Sequence, residues 1–184
     1  GFNHRNTELR REFNRFLNQI KQNGIYDAMV SRWIIRGETG MPLIPKPSTG
    51  KTLTAGIISD NGLPFTVVKD NRLVGFNIEL MERFGSYLGV TVTYQDIEFG
   101  SLIAATAGGK VDMIAAVMAI TEERKKQIAF SDPYYELGAY IFALKKNLVT
   151  DSSSETTVTA KGIPEFLRHI AAGFHGNILH EKRY

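Results

Sequence analysis

Val111-Asp112-Met113-Ile114-Ala115-Ala116-Val117-Met118-Ala119-Ile120-Thr121-Glu122-Glu123-Arg124-Lys125-Lys126-Gln127-Ile128-Ala129-Phe130-Ser131-Asp132-Pro133-Tyr134-Tyr135 is the stretch on which the fold turns. Its first seven residues are a nearly continuous apolar run, the pattern of a strand buried on both faces. Met118 to Thr121 reads as a tight turn and Glu122 onward as a short charged helix with Thr121 as its N-cap. Ser131 to Tyr135 closes it as an aromatic segment. That order sets a guanidinium and free backbone amides at the mouth of a sheet. A small anion, such as the carboxylate of an amino acid, fits there.

Upstream, strands alternate with helices. Leu53 to Ile58 is an apolar strand. Val67-Val68 and Leu73-Val74 flank a Lys-Asp-Asn-Arg turn and predict a hairpin. Asn77 to Leu88 carries Ile78, Met81, Phe84, Tyr87 and Leu88 at helical spacing and stops at Gly89. Val90 to Tyr94 alternates as a strand, and Ser101 to Ala107 predicts a short helix ending at Gly108. Gly138 to Leu144 is one further apolar strand. The alternation argues for an α/β fold with a doubly wound, mainly parallel sheet.

Both ends differ from this middle. Thr7 to Gln22 carries a stripe of Leu9, Phe13, Phe16, Leu17 and Ile20, and Tyr26, Met29, Val30 and Trp33 form a second. Together they predict a helical hairpin over residues 1–36. Residues 37–51 hold Pro42, Pro45 and Pro47 among glycines and read as an extended linker. We expect a domain boundary there, with 52–148 as the α/β unit and 149–184 as a polar linker followed by a further segment. Thr150 to Thr159 is Ser/Thr-rich and reads as loop, and Ile163 to Ala172 as a short amphipathic helix. The chain opens on Gly1 in mid-pattern, so it reads as a piece of a longer protein.

The 184 residues carry 22 Lys plus Arg against 19 Asp plus Glu, a formal charge of only +3. No basic stripe interleaves with aromatics, which argues against a nucleic-acid partner. With 0 cysteines, disulfides and thiolate metal sites are excluded. The four histidines lie outside the α/β unit, no metal or cofactor motif is present, and nucleophile elbow, P-loop and zincin signatures are absent. The expectation is of a protein without cofactor and without catalytic residues.

In an open α/β sheet, ligands bind beyond the carboxyl ends of the strands. Three loops leave such ends: Ser59 to Phe65, Asp96 to Gly100, and Met118 to Thr121. Arg124 stands three residues past Thr121, placed to grip a carboxylate bidentately. The alternative makes it one member of a solvated Glu-Glu-Arg-Lys-Lys face. Phe65, Tyr134 and Tyr135 can form an apolar platform for a ligand side chain, or they are plain core.

Several of these segments, in order, resemble one family. Pro64-Phe65, Leu73-Val74-Gly75-Phe76-Asn77-Ile78-Glu79-Leu80, Gly109-Lys110-Val111-Asp112-Met113-Ile114-Ala115-Ala116, Ile120-Thr121-Glu122-Glu123-Arg124 and Phe130-Ser131-Asp132-Pro133-Tyr134-Tyr135 are similar to the first lobe of the bacterial extracellular solute-binding proteins of family 3. The resemblance implies a periplasmic-binding-protein-like lobe of type II that takes a polar amino acid. It implies Arg124 on the α-carboxylate, amides of Val117, Met118 and Ala119 beside it, and Ser59 or Asp60 as the polar contact after the first strand, with the family's aromatic position ahead of Pro64-Phe65 falling near Gly62. Residues 1–36, through Asn6-Thr7-Glu8-Leu9-Arg10, Asn23-Gly24-Ile25-Tyr26-Asp27 and Trp33, resemble the helices that close such a domain. They suggest the tail of a preceding copy, or a rearrangement in which they complete the later lobe. Residues 173–184 resemble the lead-in to a permease helix in binding-protein–permease fusions. The implied partners are an amino acid and an ABC permease, subunit or fused domain. The implied location is the periplasm or the extracytoplasmic face of the inner membrane, with the parent protein membrane-attached.

Three departures stand out. Ala119 occupies a position where the family carries a hydroxyl, a charge-assisted bond worth about 1.5–3 kcal/mol. Asn77 replaces the acid that usually follows Gly-Phe. The second lobe expected after Leu144 is not recognisable. A degenerate ancillary lobe therefore stands beside the working binder. Two other classes share the pattern: a sensing flytrap domain of a receptor or sensor kinase, and a dehydratase or murein transglycosylase accessory domain.

Overall fold

The computed structural model describes residues 1–47 and 49–136, together with the backbone of Leu148–Val149 and Thr159–Ala160. Two compact units divide the chain, Gly1–Tyr135 and Glu136–Tyr184. In the second, Leu148–Val149 pairs antiparallel with Thr159–Ala160, Leu148 opposite Ala160. The strand expected over 138–144, the helix over 163–172 and the permease-like segment over 173–184 lie outside the described residues.

The first unit begins with helix α1 (Thr7–Gln22). Its stripe of Phe13, Phe16, Leu17 and Ile20 is buried as the spacing predicts. Gly24, with φ of 79°, turns the chain into α2 (Ile25–Val30), which runs on through one π-helical turn, Ser31–Ile35, bringing Trp33 inward. The sheet is built from β1 (Thr52–Ile57), β4 (Thr91–Asp96) and β5 (Met113–Ile114), in the order β4-β1-β5 and parallel throughout. Between β1 and β4 come the hairpin β2 (Val67–Lys69) and β3 (Arg72–Val74), then helix α3 (Phe76–Leu88). Asp70 and Asn71 take the positive φ values, 49° and 59°, that a two-residue hairpin turn requires. Helix α4 (Leu102–Ala107) separates β4 from β5, and α5 (Glu122–Lys125) follows.

Both faces of the sheet are covered. Met113 and Ala115 face the core shared with β1, α1, α2 and α3, while Ile114 and Ala116 face a second cluster with Leu102 and Ile128. That alternation explains the apolar run at 111–117. Only Met113–Ile114 has full strand pairing, however, and not the seven residues expected. Ladder-type bonds extend it one residue each way, from Asp112 to Thr54 O and from Ala115 to Gly56 O, both 2.9 Å. Beyond Ala115 the chain leaves the sheet to form the turn. Phe2 pairs antiparallel with Met113 and with Ala129, so the opening residues close the outer side of β5.

The sequence reading separated 1–36 from 52–148 at the Pro/Gly segment. In the structure the two sides share one core: Phe13 packs edge-on to Phe84 of α3 at 5.0 Å, and Phe16 meets Phe84 at 5.3 Å. A buried ionic node joins them as well. The Glu79 carboxylate, fully buried, accepts from Arg32 Nη1 (2.9 Å to each oxygen), from Trp33 Nε1 (2.6 Å) and from Arg83 Nε (2.9 Å).

Candidate functional site

Because β1, β4 and β5 are parallel, their carboxyl ends share one edge, and the loops at 58–66, 97–101 and 115–121 leave from it. Each loop is held differently.

The first is tied to the second. Ser59 donates its N–H to Asp96 Oδ1 at 3.0 Å and its hydroxyl to Asp96 Oδ2. The Ser59 proton is thus engaged, and Asp96 fixes where the loop starts. Asp60 is exposed beside it. The loop then tightens, with Phe65 and Thr66 N–H both 3.0 Å from Gly62 O. Phe65 is half-buried and meets Phe76 and Tyr135 edge-on at 6.4 and 5.9 Å. The structure thus joins Phe65 to Tyr135, as the platform reading requires. Tyr134 lies inward of them, its ring stacked on buried Phe76 at 6.2 Å. Burial, then the neighbouring Tyr26, push the Tyr134 phenol well above the ordinary tyrosine range.

The third loop carries the residues expected to meet an anion. Val117 and Met118 are half-buried and Ala119 is exposed. Their N–H groups find no acceptor among the described residues. Thr121 caps α5 by accepting from the Arg124 N–H at 3.3 Å, as expected. The Arg124 side chain folds back over the turn. Its Nη1 donates to Ala119 O at 2.9 Å, and its guanidinium lies 5.4 Å from the centre of the Phe99 ring. A guanidinium has five N–H donors. The remaining ones have no protein partner among the described residues. The side chain is half-buried, unlike its exposed neighbours Glu122, Glu123, Lys125 and Lys126, so it is not one of a uniformly solvated face.

Ser59, Asp60 and Phe65 thus stand on one loop, Val117, Met118 and Ala119 on another, and Arg124 on α5, which follows the latter loop. Phe99 and Asp96 are additions. Phe99 gives the guanidinium a flat aromatic support from the second loop, and Asp96 anchors Ser59. An aromatic and an acid in a loop leaving a strand end were the available signal for both. No group of three or more His, Asp or Glu side chains suited to a metal occurs among the described residues.

A sequence profile for bacterial extracellular solute-binding proteins, family 3, matches residues 55–178, more than half of the chain. The chain belongs to this family. Among curated relatives, the probable histidine-binding protein of Campylobacter jejuni is 35% identical over 100 residues, 54% of this chain and 39% of that one. The arginine-binding extracellular protein ArtP of Bacillus subtilis is 35% identical over 99 residues, 54% of this chain and 37% of the relative. An arginine-binding protein 1 of an ABC transporter in Escherichia coli is 35% identical over 88 residues, 47% and 36% of the two chains. The matched stretch therefore spans well under half the length of these relatives. Among solved structures, an ancestral arginine-binding protein bound to glutamine is 44% identical over 46% of this chain and 38% of its own, with a TM-score of 0.45. In this family member, the profile match over residues 55–178 takes in all three loops of the site.

Proposed function

We propose that this chain supplies the first lobe of an amino-acid-binding module of an ABC importer, and that Arg124 takes the α-carboxylate. The observation that carries the proposal is the state of Arg124. It is half-buried, oriented by Ala119 O and Phe99, and has donors to spare beside the unengaged amides of Val117 to Ala119. A carboxylate supplies two acceptor oxygens for such a fork and turn. Membership of an extracellular solute-binding family supports placing it outside the cytoplasm, in a periplasm where one exists, with a permease as partner. It also favours a binder over an enzyme. Asp60 and Glu98 are exposed on the same rim. With relatives described as arginine- and histidine-binding, they make a cationic amino acid the first ligand to test.

Among the described residues the edge is open, so affinity in the millimolar range is expected, and Kd of 1 mM corresponds to about −4 kcal/mol. The test is a titration of arginine, histidine and glutamine into the 15N-labelled chain, wild type and Arg124→Ala. Binding is expected to shift the amides of 117–124 in the wild type and to vanish in the variant, whose thermal unfolding is unchanged. Equal affinity in Arg124→Ala would overturn the site. Absence of binding to the wild type would leave a lobe that docks on the transporter without a ligand of its own.

A further inference from the structure

We propose that Asn77 is a positioning residue of this site, holding the loop that carries Phe65 and the turn that carries Val117–Ala119 at one spacing through Tyr134. The role in binding rests on the reading above, while the geometry stands without it.

Asn77 is 1% exposed and lies in the first turn of α3. Its backbone N–H donates to Phe65 O at 3.0 Å, and its side-chain Nδ2 donates to Thr66 Oγ1 at 3.3 Å. Asn77 thus holds the end of the first loop twice. On the other side, its Oδ1 accepts from the Tyr134 hydroxyl at 3.0 Å. The same hydroxyl lies 3.4 Å from Ala116 O, the carbonyl that opens the peptide to Val117. A phenol has one proton, so it bonds fully to one acceptor. The shorter contact wins, and Asn77 decides where the hydroxyl sits relative to Ala116. Tyr134 is also held from behind, because the Tyr26 hydroxyl donates to its carbonyl.

The arrangement has no slack. Thr66, like Asn77, is 1% exposed, and no buried side-chain nitrogen or oxygen among the described residues lacks a partner. An unpaired buried hydroxyl is costly. With an apolar side chain at 77, Tyr134 regains a partner only by closing on Ala116 O, which moves the turn. The Thr66 hydroxyl loses its partner at the same time, while the backbone bond to Phe65 O remains, so the turn at 117–119 shifts relative to a loop that stays attached to α3. A bond serving the core alone would bridge elements away from the site, whereas the series Thr66–Asn77–Tyr134–Ala116 runs between two of its three loops.

The test compares Asn77→Leu, Asn77→Asp and Tyr134→Phe in the full chain, with Phe16→Leu as a control destabilised at the α1–α3 contact. Asn77→Leu and Tyr134→Phe are expected to shift or broaden the 15N–1H resonances of Val117, Met118 and Ala119 and to weaken amino-acid binding about fivefold, the factor matching one lost hydrogen bond. In Asn77→Asp a carboxylate oxygen still accepts from Tyr134, and the other accepts from the Thr66 hydroxyl. Both resonances and affinity should return to within about twofold of wild type. Phe16→Leu should lower stability and leave the turn and Kd alone. Unshifted 117–119 resonances in both Asn77→Leu and Tyr134→Phe would overturn the proposal. So would a Phe16→Leu control that shifts them equally. If the wild type binds no amino acid, the resonances alone decide the positioning role and the ligand reading is what fails.

Discussion

Glu79→Leu is the sharpest probe of how the opening helices are held. The Glu79 carboxylate is fully buried and accepts from Arg32, Arg83 and the indole of Trp33. Removing one partner of a buried ionic node costs about 3–5 kcal/mol, since the charges left behind lose their compensation. Here Arg32 and Arg83 keep 19% and 22% side-chain exposure, so both heads can reach water after the loss. Leucine also restores some apolar packing. We therefore expect about 3 kcal/mol, the low end of that range. With a urea slope of about 2 kcal/mol/M, the midpoint falls by roughly 1.5 M. Trp33 is the single tryptophan of the chain, so its emission reports on the altered bond at 2.6 Å directly and follows unfolding in the same cuvette. The second arm is Arg32→Leu, made in both backgrounds. It should cost at least about 1 kcal/mol less when Glu79 is already leucine, because partners in one network are not additive. A loss below 1 kcal/mol for Glu79→Leu, or additive costs for the pair, would refute the node as the anchor of the hairpin.

Three further outcomes follow from the same geometry. Gly75→Ala should lose about 3 kcal/mol in urea unfolding, since φ of 132° disfavours a side chain and its Cβ would lie 2.2 Å from Phe65 O; a loss under 1 kcal/mol would show that the loop gives way easily. Burial raises Tyr134, and burial followed by the charge of Glu82 raises Tyr94, so both keep protons that the unfolded chain releases near pH 10. Their stabilisation is complete below that pH and lost above it, by about 1.4 kcal/mol per pH unit for each group, and Tyr94→Phe or Tyr134→Phe should flatten the alkaline limb of a stability–pH curve. Ala119→Ser should tighten amino-acid binding in an NMR titration; because position 119 is exposed, the gain is nearer 1 kcal/mol than the value for a desolvated bond, about fivefold, and an unchanged Kd would place the carboxylate elsewhere.

The parts legible in the sequence are those in which one local pattern dictates one structure. The stripe of Phe13, Phe16, Leu17 and Ile20, the Asp70-Asn71 turn and the Thr121 cap are of this kind, and each forms as its chemistry requires. The strand at 111–117 was overextended because burial on both faces continues past Ala115, where pairing stops. Apolarity records burial and not hydrogen bonding. The shared core of residues 1–36 and the sheet is legible only as one of two alternatives, because a Pro/Gly segment marks where the chain cannot be regular, and not which surfaces meet afterwards. The position of Arg124 beside the turn is legible because a cap and a strand fix it. Phe99 and Asp96 act through contacts 25 and 37 residues away in sequence, with Arg124 and Ser59 respectively, and no local pattern encodes those pairings.

Among the described residues the site edge is open, and solvent access there sets how much any of these contacts is worth. A carboxylate on Arg124 in full contact with water gains about 0–1 kcal/mol, as surface pairs do. The same pair shielded from solvent gains several times more, provided its remaining donors and acceptors are met. Arg124 is already half-shielded, by Phe99 below and the turn beside it, and each of the three site loops presents one large apolar side chain to solvent: Leu63 at 52%, Phe99 at 41% and Ile120 at 41%. Covering these would remove water from the guanidinium and bury apolar surface in one step. On the proposed reading, affinity of this lobe depends less on the number of donors at Arg124 than on what lies over its rim. On that reading the lobe itself contributes the orientation of those donors, set by the bond to Ala119 O and by the Phe99 ring.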